Sequence, residues 1–107
     1  MESIAIYYLS ILPAIRKAAR RHGYAVGMHG SLSRDFDLIA VPWQDIVSPP
    51  DVLVVAICDA VCGQVSARGD GGTWPREKPH GRMAWSIQIG GGAYLDLSVI
   101  PPTSGEV

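Results

Sequence analysis

Charge is scarce in this chain. Only 18% of its residues are Asp, Glu, Lys or Arg and the formal net charge is −1, so no global positive field is available to hold a long nucleic acid through counterion release. Strong non-specific nucleic-acid binding is thereby excluded, and any such contact must be local. Cysteine is nearly absent as well, with Cys58 and Cys62 the only two. Neither a Cys-x-x-Cys pair nor a Cys/His cluster with zinc spacing occurs, which argues against a disulfide framework or a zinc site. Spaced i, i+4 on an expected apolar helix, the two thiols read as small core residues of a protein from a reducing, cytoplasmic compartment. Long uninterrupted hydrophobic runs are missing too. The start, Met1 to Leu9, is apolar but carries no basic leader and no small-residue cleavage site, and Pro13 follows soon after. It reads as neither a signal peptide nor a membrane span.

What the chain does have is apolar residues, 48% of the total, punctuated by 12 glycines and 8 prolines over 107 residues. That is enough for one domain with a buried core built from several short elements, and too little for a second catalytic domain. Ile11, Leu12, Ile15, Ala18 and Ala19 recur at helical spacing from Ser10, a candidate N-cap, to a stop at Gly23, with Pro13 tolerable in a first turn; residues 4–9 either extend this helix or form a separate turn, since Pro13 would kink a continuous one. Arg16, Lys17, Arg20 and Arg21 fill the opposite, solvated face. Tyr24 to His29 and Phe36 to Val41 read as strands, the second stopped by Pro42. Ser48-Pro49-Pro50-Asp51 opens a second helix, with Ser48 as the capping hydroxyl, from about Val52 to Cys62, ended by Gly63. Residues 66–80, rich in Gly and Pro, form one long loop in which Trp74 acts as a cover. Trp43 and Trp85 read as core or cover residues. Arg82 to Ile89 and Ala93 to Ile100 alternate as two strands around Gly90-Gly91-Gly92. The tail, residues 103–107, is expected to fray. The fold class is α+β, in the order α-β-β-α-β-β, with a mixed or antiparallel sheet of about four strands and two helices packed mainly on one face.

The chemistry concentrates in His29-Gly30-Ser31-Leu32-Ser33-Arg34-Asp35-Phe36-Asp37-Leu38. Asp35 and Asp37 share one face of a strand because side chains alternate. Asp96 sits between Leu95 and Leu97 in a very apolar run. Half-buried carboxylates are costly unless paired or hydrogen-bonded. If the last strand lies beside the second, the three acids converge, and two arrangements satisfy them. In one, a divalent cation sits between them, magnesium or manganese by the all-oxygen ligand set. In the other, Arg34, Arg82 and backbone amides hold them. The Gly30-Ser31 turn lets backbone amides approach an anion, and Ser31 can donate to a phosphate oxygen. Arg34 is either the ion-pair partner of Asp35 or Asp37 or a phosphate clamp. His80 and Arg82 form a second polar cluster at a strand start, a candidate phosphate contact. His29 is a strand-end hydrogen bonder next to the turn, and Trp74 is also placed to stack on a base.

These residues carry a resemblance. Gly30-Ser31, then Asp35-Phe36-Asp37-Leu38, then Leu95-Asp96-Leu97 resemble the signature of the DNA polymerase beta-like nucleotidyltransferase superfamily, in particular its minimal members. The stretch His29 to Ala40 is also similar to one shared by small phage and prophage proteins. The resemblance implies transfer of a nucleoside monophosphate from a nucleoside triphosphate to a hydroxyl acceptor, with magnesium or manganese. It implies Asp35, Asp37 and Asp96 as metal ligands, Ser31 as a phosphate contact, and Asp96 on the ion that activates the acceptor. Only Leu32-Ser33-Arg34 separate Gly30-Ser31 from Asp35, a shorter spacing than family members usually have. That removes the helix N-terminus which commonly cradles the triphosphate. A non-catalytic accessory protein that binds a partner or nucleotide through the same face, and a metal-dependent phosphodiesterase or nuclease, use the same acids differently.

Overall fold

The computed structural model describes residues 2–68, 70 and 72–102, without the side chains of residues 2 and 3. Gly69 and Gly71 of the expected loop and the expected frayed tail lie outside the described residues. Helix α1 runs Glu2–Arg21, followed by β1 (Tyr24–His29), β2 (Phe36–Pro42), α2 (Pro50–Val61), β3 (Gln64–Val65), β4 (Arg76–Glu77), a 3-10 turn at Pro79–Gly81, β5 (Met83–Gly90) and β6 (Ala93–Val99). The protein is α+β, with two α-helices and one mixed sheet. That sheet has six strands in the order β1-β2-β6-β5-β3, with β4 also on β5. The two beyond the expected four are the two-residue strands β3 and β4, too short to show a period of two.

Helix α1 begins well before Ser10 and is continuous through Pro13. Ser10 therefore caps nothing, and its hydroxyl donates to the Tyr7 carbonyl at 2.6 Å. An interior proline removes one helical hydrogen bond and costs about 3 kcal/mol relative to alanine. Burial of Tyr8, Leu12, Ile15 and Ala19, one stripe at helical spacing, offsets that cost. Arg16, Lys17, Arg20 and Arg21 face solvent as expected. Gly23 ends the helix with φ +88°, and an added Cβ would lie 2.5 Å from the Val47 side chain. Helix α2 starts on Pro49 as N-cap without a side-chain cap. Ser48 instead bonds His22 Nδ1 at 2.8 Å, and its carbonyl accepts the Tyr24 hydroxyl at 2.6 Å. It ties the entry of α2 to the end of α1. The left-handed residue at the end of α2 is Cys62, with φ 56°. Cys58 is half-buried and packs on the core as expected, whereas Cys62 is exposed; both are free thiols.

Both helices join one hydrophobic cluster with the inner face of the sheet, where Phe36, Leu38, Leu95, Leu97, Val99 and Ile87 are fully buried. Each such side chain contributes about 1.5–3 kcal/mol by leaving water. Trp85 belongs to this core, whereas Trp43 is 77% exposed and covers nothing. Among the described residues no helix is long and apolar enough to cross a membrane.

Strand β6 inserts beside β2 in parallel, and pairs with β5 antiparallel on its other edge. The alternation that buries Phe36, Leu38, Leu95 and Leu97 turns Asp35, Asp37 and Asp96 to the opposite face.

Candidate functional site

Register places the polar residues of that outer face in a row. His29 is opposite Asp37 across β1 and β2, Asp37 opposite Asp96 across β2 and β6, and Asp96 opposite Ser86 across β6 and β5. Asp35, one step before β2, joins the row, and one carboxylate oxygen from each of Asp35, Asp37 and Asp96 lies within 4.8 Å of the others. All three acids are half-buried. Among the described residues the ion pairs are Arg68 and Arg76 to Asp70, so no lysine or arginine pairs with the cluster. Burial pushes the Asp37 carboxyl above the ordinary range, the nearby Asp35 and Asp96 push it further, and His29 opposes them. A group in this position is eased by taking up a proton or a cation.

The oxygens fit one divalent ion. Metal–oxygen bonds of about 2.0–2.6 Å place the ligand oxygens of one ion no more than about 5 Å apart, and the three oxygens here lie within 4.8 Å of one another. The turn leading to β2 is shaped around the same carboxylate. Gly30 has φ +82°, and a Cβ on it would overlap the Asp37 carboxylate oxygen. Only glycine lets the backbone come this close. Leu32 is left-handed at φ 62° and packs on the core. The Ser31 hydroxyl is exposed, 2.7 Å from the Ser33 hydroxyl, and accepts the Ser33 amide at 3.3 Å. It is engaged within the turn and open to solvent on its free side.

Tyr8, not singled out from sequence, braces the site from below. Its ring stacks on Phe36 with centroids 5.0 Å apart. Its hydroxyl donates to the Arg34 carbonyl at 2.8 Å and accepts the Tyr94 amide at 3.2 Å. One hydroxyl thus joins the residue before Asp35 to the strand that carries Asp96. In the sequence it is one more apolar-stripe residue, and nothing local marks it.

Arg34 and Arg82, the candidate partners for the acids, form no ion pair with them among the described residues. Arg34 is exposed, and only its carbonyl is used. Arg82 bonds the Ser98 hydroxyl at 3.3 Å and the Pro79 carbonyl at 3.3 Å. Ser98 is two residues beyond Asp96 on the same face, so Arg82 braces β6 rather than neutralising its acid. His80 sits exposed in the 3-10 turn with φ 67°. Neither residue lines the cleft that reaches Asp96. That cleft, about 270 Å³, is bordered by Arg68, Trp74, Arg76, Lys78, Ser86 and Asp96. Its cations lie in the Gly-rich stretch read as loop, where sequence gives no direction to a side chain. Trp74 is a cover as expected: it packs on the core, with the guanidinium carbons of Arg68 and Arg76 each 5.6 Å from its ring.

The arrangement can hold a divalent cation on three carboxylates and present it, on an open sheet face, to ligands on either side. Comparison with protein-family profiles, with curated proteins and with solved structures finds no match for this chain.

Proposed function

We propose that this protein is a metal-dependent nucleotidyltransferase, moving a nucleoside monophosphate from a nucleoside triphosphate to a hydroxyl acceptor. The observation that carries the reading is the convergence of Asp35, Asp37 and Asp96, within 4.8 Å and without a lysine or arginine partner among the described residues. Magnesium or manganese held there would neutralise charge on the phosphates and lower the barrier to attack by a hydroxyl.

The chain's own residues supply the rest. Gly30 keeps space clear next to Asp37, and the exposed Ser31 hydroxyl is available to a phosphate oxygen on that side. Asp96, which borders the adjacent cleft, would face the acceptor there. In the transfer, the acceptor oxygen bonds to the α-phosphorus, the bond to the pyrophosphate oxygen breaks, and the hydroxyl proton passes to a carboxylate or to water.

The non-catalytic reading draws on the short turn and the internal bond of Ser31 to Ser33, which leave few groups to cradle a triphosphate. A transfer assay separates the two. With magnesium and α-labelled nucleoside triphosphates, the wild type should release pyrophosphate and label an acceptor in a cell extract, while Asp37→Asn and Asp96→Asn should not. Absence of transfer with all four nucleotides, despite nucleotide binding, would favour the binding module. Divalent-dependent cleavage of RNA or DNA without added nucleotide would instead indicate the phosphodiesterase or nuclease.

A further inference from the structure

The cleft beside Asp96 has a built interior of its own. Trp74 has two guanidinium groups beside it, each 5.6 Å from its ring centre. Asp70 ties both together, bonding Arg68 at 2.6 Å and approaching Arg76 at 3.5 Å. Arg68 also donates to the Thr73 carbonyl, and the Trp74 indole donates to the Ser66 carbonyl. Arg68 is therefore consumed by the scaffold, with its side chain 15% exposed, while Arg76, at 43%, keeps donors free. Lys78, in the same cleft, is exposed. Beneath them the Ser66 hydroxyl is shielded from solvent and has no hydrogen-bond partner. It lies within the cleft wall rather than on its open surface.

Arg76 and Lys78 present charge-assisted donors suited to a phosphate. Ser86 adds a hydroxyl, and Asp96 at the far wall accepts from a hydroxyl. This polarity, cationic at one end and a carboxylate at the other, matches a molecule carrying both a phosphate and a free hydroxyl. We propose that the cleft binds a phosphorylated nucleoside, free or at the end of a strand, with its phosphate on Arg76 and Lys78 and its sugar hydroxyl toward Asp96. Resting on the nucleotidyltransferase reading, this makes the acceptor a nucleotide rather than a protein side chain. The cleft and the acid cluster share only Asp96, so the two claims are separable.

The test is calorimetric titration, in chelator and without divalent ions, with a nucleoside monophosphate and with a 5′-phosphorylated single-stranded trinucleotide. Both should bind wild type and Asp37→Asn alike. The double variant Arg76→Ala/Lys78→Ala, altered only at exposed side chains, should bind about 10- to 100-fold more weakly. The tighter of the two probes identifies the source, free nucleotide or strand end. Absence of saturable binding by either probe, or binding unchanged in Arg76→Ala/Lys78→Ala, overturns the proposal. Binding lost in Asp37→Asn but kept in that double variant would also overturn it, placing the ligand at the acids and leaving the transferase reading intact.

Discussion

Asp37 and Asp96 stand opposite one another on adjacent parallel strands, with no lysine or arginine paired to either among the described residues. Their repulsion adds to burial in raising the Asp37 carboxyl from its ordinary value of 3.8. In the absence of metal, a carboxyl raised on folding binds its proton more tightly in the native state. Its contribution to stability is therefore largest in acid and is lost as pH climbs from the unfolded value through the folded one. Thermal melts in chelator should show this loss above about pH 4, and Asp37→Asn should remove that part of the slope. Millimolar magnesium or manganese should raise the wild-type melting temperature at neutral pH and leave that of Asp37→Asn unchanged.

Tyr8→Phe keeps the stack on Phe36 but deletes the hydroxyl shared by the Arg34 carbonyl and the Tyr94 amide. Leaving both without that partner should cost about 1–3 kcal/mol in denaturant unfolding. Because those two groups position Asp35 and Asp96, cation affinity should fall as well, which a purely structural loss elsewhere in the core would not produce.

Gly30→Ala meets both a left-handed backbone and the Asp37 carboxylate. The conformational part alone is worth about 1–2 kcal/mol. The collision displaces the carboxylate, so cation binding measured by calorimetry should weaken more than stability does.

Pro13 lies on the exposed face of α1, inside a continuous helix. Pro13→Ala restores a backbone donor and should stabilise the protein by up to about 3 kcal/mol in chemical denaturation. The acid face should bind cations as before.

The period-two runs made β1, β2, β5 and β6 legible within a residue or two, because each has one buried and one open face. The shared face of Asp35 and Asp37 followed from the same alternation. Whether Asp96 joins them depends on β6 inserting in parallel beside β2, a non-local pairing that local pattern states only as a condition. Pro13 left the start of α1 open in the sequence, and burial of Tyr8, upstream of the proline, decides it against local propensity. Trp43 and Cys62 read as interior by type, yet each belongs to a segment whose exposure is set by neighbouring elements. Arg68, Arg76 and Lys78 escaped notice because a Gly-rich stretch has no period from which to infer a face. Tyr8 escaped because its bonds reach residues far along the chain.

The central claim is that Asp35, Asp37 and Asp96 form one divalent-cation site, and calorimetric titration with manganese tests it most directly. Wild type should bind with saturable heat and a stoichiometry of at least one ion, and both Asp37→Asn and Asp96→Asn should lose that binding while remaining folded by circular dichroism. Absence of manganese binding by folded wild-type protein, or equal binding by wild type and both variants, would contradict it.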